Sequence, residues 1–157
     1  MKALVVYDSV FGNTEKVAQA MGEALGAHAE VATRRVGDVT PEELTHVDWL
    51  VVGSPTRAFS PTPETKKLLG AIPGKGLQGI KVAAFDTRIA VEETNSGFLK
   101  FMVSIFGYAA APLAKRLTRK GGTQAMAPEG FFVNDSEGPL RDGELERAKA
   151  WVRQIVN

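Results

Sequence analysis

Lys2-Ala3-Leu4-Val5-Val6-Tyr7-Asp8-Ser9-Val10-Phe11-Gly12-Asn13-Thr14 is the stretch whose reading decides the fold. After Lys2 it runs through five apolar or aromatic residues, the composition of a buried parallel strand. Beyond it Val17, Ala20, Met21, Ala24 and Leu25 recur at helical spacing and mark one face of an amphipathic helix. Asp8 to Thr14 is therefore a strand-to-helix turn. The first amides of such a helix have no acceptor within it, and the positive end of the macrodipole stands behind them. A turn of this kind is built to meet an anion. Gly12 lets the backbone approach a ligand, while the hydroxyls of Ser9 and Thr14 and the amide of Asn13 add side-chain donors. The turn holds no lysine or arginine, unlike a nucleoside-triphosphatase loop, whose lysine reaches the β/γ-phosphates. A monophosphate held by neutral donors fits it better.

Outward from that turn, strands and helices alternate. The first helix is expected to end near Gly26, a C′ glycine, and Glu30 to Arg34 alternates as a half-exposed edge strand does. Thr40-Pro41-Glu42-Glu43 carries the capping-box pattern that opens a short helix. Trp49 to Gly53 is apolar and reads as a central strand; the Pro-rich segment Ser54 to Pro61 leads to a helix capped by Thr62 and opened by Pro63. Its apolar face comprises Leu68, Leu69 and Ile72. Ile80 to Phe85 is the fourth strand, with Asp86-Thr87-Arg88 in the loop beyond it. Phe98, Phe101, Met102, Ile105 and Phe106 mark an apolar helix that Pro112 kinks or restarts before Leu113 and Leu117. Thr123 to Val133 is expected to hold a fifth strand interrupted at Pro128-Glu129-Gly130, and Leu145, Ala148, Trp151, Val152 and Ile155 form a closing helical stripe. Five alternating strands make an open parallel sheet with helices on both faces. Ligands of such sheets bind beyond the carboxyl ends of the strands, where residues 8–14, 54–61 and 86–96 gather.

At 157 residues the chain is expected to be one domain, able to bury about 70% of its unfolded surface. It contains no cysteine, which excludes disulfides, a thiol nucleophile and thiolate-held zinc or iron–sulfur centres. A net charge of +1 with 24% charged residues points away from nucleic acid. No apolar run has the length of a signal-peptide core or a membrane span, so a cytoplasmic protein away from the membrane is expected; a monomer is a separate expectation.

With these elements in order the sequence resembles the flavodoxin family over essentially its whole length. In that family a first loop of the pattern S/T-x-T-G-x-T wraps the phosphate of flavin mononucleotide (FMN). Ser9-Val10-Phe11-Gly12-Asn13-Thr14 matches it except at Phe11, which stands in place of a threonine. The resemblance implies a three-layer α/β sandwich: a five-stranded parallel sheet of order 2-1-3-4-5 between two helical layers. It also implies that Pro55, Thr56, Arg57, Ala58 and Phe59 line one side of the isoalloxazine ring and Asp86, Thr87 and Arg88 the other. Phe59 is the one aromatic in these two loops, and Trp49 belongs at the far end of its strand. Arg57 and Arg88, facing the ring, would favour its reduced anionic form.

The function implied is electron transfer between redox partner proteins, a reductase and an acceptor. An FMN-dependent NAD(P)H or quinone oxidoreductase and a flavin-free binding module are the alternatives on the same fold. Gly74 to Gly79 matches G-x-G-x-x-G, but it leaves a helix and enters a strand, the reverse of a dinucleotide fingerprint. His28 and His46 fall at the opposite edge of the sheet, which removes a general base and a hydrolase triad from the site. A phosphoacceptor receiver domain needs an aspartate where Gly53-Ser54 stands. Lys115, Arg116, Arg119 and Lys120 cluster on one helix, a solvated face or a dock for an acidic redox partner.

Overall fold

A computed structural model describes residues 1–56, 60–89, 97, 108–135 and 137–157. Within them lie strands β1 (Lys2–Tyr7), β2 (Glu30–Arg35), β3 (Trp49–Pro55), β4 (Lys81–Ile89), β5 (Thr123–Gln124) and β6 (Glu129–Val133). The helices are α1 (Asn13–Leu25), α2 (Pro63–Gly70), α3 (Ala110–Arg119) and α4 (Glu144–Val152). The named strands pair in parallel, in the order β2-β1-β3-β4-β5, and β6 also pairs with β4. The expected fold class and strand order are therefore observed. None of the described helices is long and apolar enough to cross a membrane.

Both faces of the sheet are buried, and strand parity divides them. Ala3, Val5, Tyr7, Trp49, Val51, Ala83 and Phe85 pack with Val17, Met21 and Leu25 of α1 and Ala148, Trp151 and Val152 of α4. Leu4, Val6, Leu50, Val52, Val82 and Ala84 pack with Leu68 and Leu69 of α2 and Leu113 and Leu117 of α3. Phe85, Phe131 and Trp151 form an edge-to-face triangle with centroids 6.0–6.3 Å apart. Each such pair adds about 0.5–1.5 kcal/mol beyond its buried area.

Several elements differ from expectation for local reasons. The fifth strand is broken at 125–128 rather than at 128–130: Pro128 supplies no amide, and Glu129 and Gly130 already stand in the ladder with β4. That second segment extends the pairing of β4 to Ile89, so Asp86, Thr87 and Arg88 belong to a strand rather than a loop. Likewise Ser54 and Pro55 pair with Asp86 and Thr87 and lengthen β3. The Thr40–Glu43 capping box forms reciprocally, each backbone N–H donating to the other side chain at 3.3–3.4 Å, but it holds only a 3₁₀ turn over Glu43–Thr45. Gly26 ends α1 as expected, in the right-handed region at φ −61°, and its amide bonds back to the Gly22 and Glu23 carbonyls. Pro112 falls in the first turn of α3, where a missing N–H costs nothing. Leu145 is 38% exposed and stands outside the closing stripe. The stripe Phe98, Phe101, Met102, Ile105 and Phe106 lies outside the described residues.

The outer edge of β6 is closed by the chain that follows it. The Glu144 carboxylate accepts the Phe132 amide at 2.7 Å, and the Arg141 amide donates to the Phe132 carbonyl at 2.9 Å. Arg147 donates to Glu144 and to the Gly130 carbonyl, tying α4 to the strand. These contacts satisfy an edge that would otherwise be open to pairing.

Candidate functional site

Parity along the end of β4 distributes its side chains between two helix starts. Phe85 and Thr87 share the face of α1, and the Thr87 hydroxyl meets that of Thr14 at 2.8 Å. Asp86 and Arg88 share the face of α3. The Asp86 carboxylate accepts the Ala110 amide at 2.9 Å and takes Arg88 in a bidentate pair at 2.6 and 2.7 Å. Burial pushes the Asp86 carboxyl above the usual carboxylate range, against the pull of the Arg88 guanidinium and the Ala110 amide. Arg88 lies over the Tyr108 ring, 3.7 Å from its centroid. It also fills the space that a side chain at Gly130 would need, so a larger residue there would have to displace the guanidinium from Asp86. Thr56 completes the arrangement: its hydroxyl accepts the Ala109 amide at 3.1 Å, and its own amide donates to the Thr87 carbonyl. Two consecutive amides at the start of α3 are thus taken by side chains of β4 and the segment after β3.

The turn from β1 into α1 is organised differently. Gly12 occupies the N-cap position at φ +92°, a left-handed conformation that other residues adopt at a cost, and α1 has no side chain in the usual capping position. Instead Ser9 Oγ accepts the Gly12 amide at 3.1 Å and the Glu15 amide at 3.4 Å. A hydroxyl has two lone pairs and one hydrogen. With both lone pairs engaged, the Ser9 hydrogen is left to donate to another partner. Thr14 and Thr87 share one hydrogen between two hydroxyls, so their second hydrogen is also available to an acceptor. As at any helix start, the Asn13 and Thr14 amides have no carbonyl within α1 to bond. The Asn13 side chain donates through Nδ2 to the Glu137 carbonyl at 3.1 Å, which leaves the second hydrogen of that amide for another acceptor.

A cleft of about 300 Å³ opens between these groups, at the lower end of the range of small-molecule sites. Ser9, Val10, Phe11, Asn13, Thr14, Pro55, Thr56, Thr87 and Arg88 border it, nine of the residues named from sequence. Gly12 shapes the turn without bordering the cleft, and Asp86 is fully buried behind it, holding Arg88. Arg57, Ala58 and Phe59 lie outside the described residues. Ile89 and Val133 also border the cleft and were missed; the period-two pattern of β4 places Ile89 with Thr87, which was the available signal. Arg35 was missed as well. From the end of β2 its guanidinium donates to the Ser9 carbonyl at 2.9 Å, so a cation does touch the turn. Val10 and Phe11 are about half exposed at the rim. The arrangement can bind an anion at the start of α1 and an apolar body beside Phe11, Ile89 and Val133.

The remaining candidates stand elsewhere. Trp49 is buried at the opposite end of β3, and His28 and His46 lie in connections entering β2 and β3. Gly74 to Gly79 forms the turn into β4. In the basic cluster of α3, Lys120 donates to the Ile72 and Gly70 carbonyls at 2.6 and 3.2 Å and so closes the end of α2. Among the described residues no cluster of acidic or histidine side chains could hold a metal ion.

An open parallel sheet with helices on both faces and a cleft at its carboxyl edge defines a doubly wound α/β class of protein. A family model described as Flavodoxin matches residues 5–151, and the chain belongs to that family. A flavodoxin of Aquifex aeolicus is 42% identical over 59 residues, which cover 35% of this chain and 31% of the relative. The chain thus aligns with about a third of that relative's length. Among solved structures, a flavodoxin from the domain Archaea superposes with a TM-score of 0.76 at 25% identity, covering 99% of this chain and 96% of the other. Oxidised flavodoxin 1 from Bacillus cereus superposes with a TM-score of 0.78 at 15% identity, covering 99% and 97%.

Proposed function

We propose that the protein is a cytoplasmic, monomeric electron carrier that holds FMN noncovalently in this cleft and passes electrons between a reductase and an acceptor protein. The observation that carries it is the donor set at the start of α1. Ser9 has a hydroxyl hydrogen free to donate, the Thr14–Thr87 pair has one more between them, and the amides of Asn13 and Thr14 stand at the positive end of the helix. That set fits a phosphate monoester, which offers only acceptors. Ser9, Gly12, Asn13 and Thr14, with the backbone at Val10 and Phe11, would hold the phosphate. Pro55 and Thr56, continued by Arg57, Ala58 and Phe59, would border one side of the ring. Thr87 and Arg88 would border the other, with Asp86 fixing Arg88 from behind.

When bound, the flavin supplies the one- and two-electron chemistry. The chain contributes binding, apolar contact and charge. Phe11, Ile89 and Val133 would shield a bound ring from water, and the tethered Arg88 would hold positive charge where negative charge gathers on reduction. Lys115, Arg116 and Arg119 offer an acidic partner a basic face on α3. The FMN-loaded protein is expected to take electrons from an added flavoprotein reductase, pass them to an acceptor, and consume no NAD(P)H by itself. Steady NAD(P)H oxidation with a quinone and no added reductase would replace the carrier by an oxidoreductase on the same fold.

A further inference from the structure

Arg35 is paired in register with Tyr7, so its side chain rises on the face of the sheet that carries α1. Its guanidinium lies over the Tyr7 ring, 5.3 Å from the centroid, and donates through Nη1 to the Ser9 carbonyl at 2.9 Å. The same nitrogen is 3.8 Å from Asp8 Oδ1, and Nη2 is 3.5 Å from Glu15 Oε1. Tyr7 donates its hydroxyl to the other Glu15 oxygen at 3.0 Å, and Asp8 Oδ1 also accepts the Ser9 amide at 2.9 Å. The anion-binding turn is therefore flanked at both ends by a carboxylate, Asp8 before it and Glu15 after it. Each would repel a phosphate dianion, as would a Ser9 carbonyl turned toward the cleft. One arginine, 26 residues away in sequence from Ser9, engages all three groups.

We propose that Arg35 is a positioning residue of the anion-binding turn: by holding the Ser9 carbonyl and neutralising Asp8 and Glu15, it selects a phosphate-bearing flavin over the same flavin without phosphate. The proposal rests on the reading of the cleft as an FMN site. Riboflavin, which lacks the phosphate, is the control ligand, because a general loosening of the cleft weakens both flavins whereas loss of the shield weakens only FMN.

The test is fluorescence titration of FMN and riboflavin into the wild type, Arg35→Gln, Arg35→Lys and the double variant Arg35→Gln/Glu15→Gln. Arg35→Gln is expected to weaken FMN about tenfold and to leave riboflavin unchanged within about twofold, a gap that narrows in high salt. Adding Glu15→Gln should recover most of the lost FMN affinity, and Arg35→Lys, which keeps the charge, should retain most of the preference. Equal weakening of both flavins, an unchanged FMN affinity in Arg35→Gln, or a double variant no better than the single one would each overturn the shielding role. A wild type that binds neither flavin would overturn the FMN site itself, and it does so before any variant is made.

Discussion

The starts of α1 and α3 both stand at the carboxyl edge of the sheet, on its two faces, and they treat their orphan amides in opposite ways. At α3, Ala109 and Ala110 donate to Thr56 and Asp86, so the anion at that helix start is the protein's own buried carboxylate. At α1, the Ser9 hydroxyl ties the Gly12 and Glu15 amides together, while the Asn13 and Thr14 amides stand between them without a helical acceptor. The same physics makes one helix start a structural joint and leaves the amides of the other open to a ligand. The difference lies in which residue the neighbouring strand places beneath each helix: an aspartate under α3, a threonine under α1.

The contrast predicts different outcomes for the two starts. Asp86→Ala removes the internal anion and leaves the Arg88 guanidinium and the Ala110 amide without their acceptor. Denaturant unfolding should read a loss of about 3–5 kcal/mol, the scale of a broken buried pair. Ser9→Ala with Thr14→Ala should act mainly on ligand: FMN affinity falls by about 2–4 kcal/mol if both hydroxyls engage a charged phosphate. Equal damage to stability at both starts would erase the distinction. The start of α2 is a third case, capped locally by Thr62, whose side chain accepts the Thr65 amide. Thr62→Ala should cost about 1 kcal/mol in a thermal melt and leave flavin binding alone.

The smallest effect concerns α4, where Glu144 spends its carboxylate on the Phe132 amide and on Arg147. Burial alone would push that carboxyl up, but the hydrogen bonds from Arg147 and Phe132 and the charges of Arg147 and Arg141 outweigh it and hold it below its ordinary value. The unfolded chain then binds the proton more readily than the folded one. Glu144 therefore contributes stability above the ordinary glutamate range, and that contribution is lost as pH falls through the lowered value. Glu144→Gln should flatten the acid limb of a stability–pH curve, and an unchanged acid limb would remove Glu144 from the closure of the sheet edge.

Much of this arrangement is legible in the sequence. The apolar run before Asp8 and the helical spacing after Thr14 locate β1, α1 and the turn between them, because both patterns are local. What escapes is what depends on pairing across the sheet. Asp86 reads as a loop residue until β6 extends β4 past it, and strand parity then turns its carboxylate away from the cleft. Arg35 falls one residue past the half-exposed edge strand read at Glu30 to Arg34, and only its pairing with Tyr7 brings it to the Ser9 carbonyl. The capping box at Thr40 is correct in its hydrogen bonds yet yields only a single 3₁₀ turn, since the next strand begins within a few residues.

The most direct measurement is the absorbance spectrum of the purified protein after incubation with FMN and gel filtration. A flavin band that elutes with the protein, and that is lost in the Ser9→Ala/Thr14→Ala variant, is the predicted result. A protein that is folded by circular dichroism yet elutes without the band would contradict the account, leaving the start of α1 as an ordinary strand-to-helix turn.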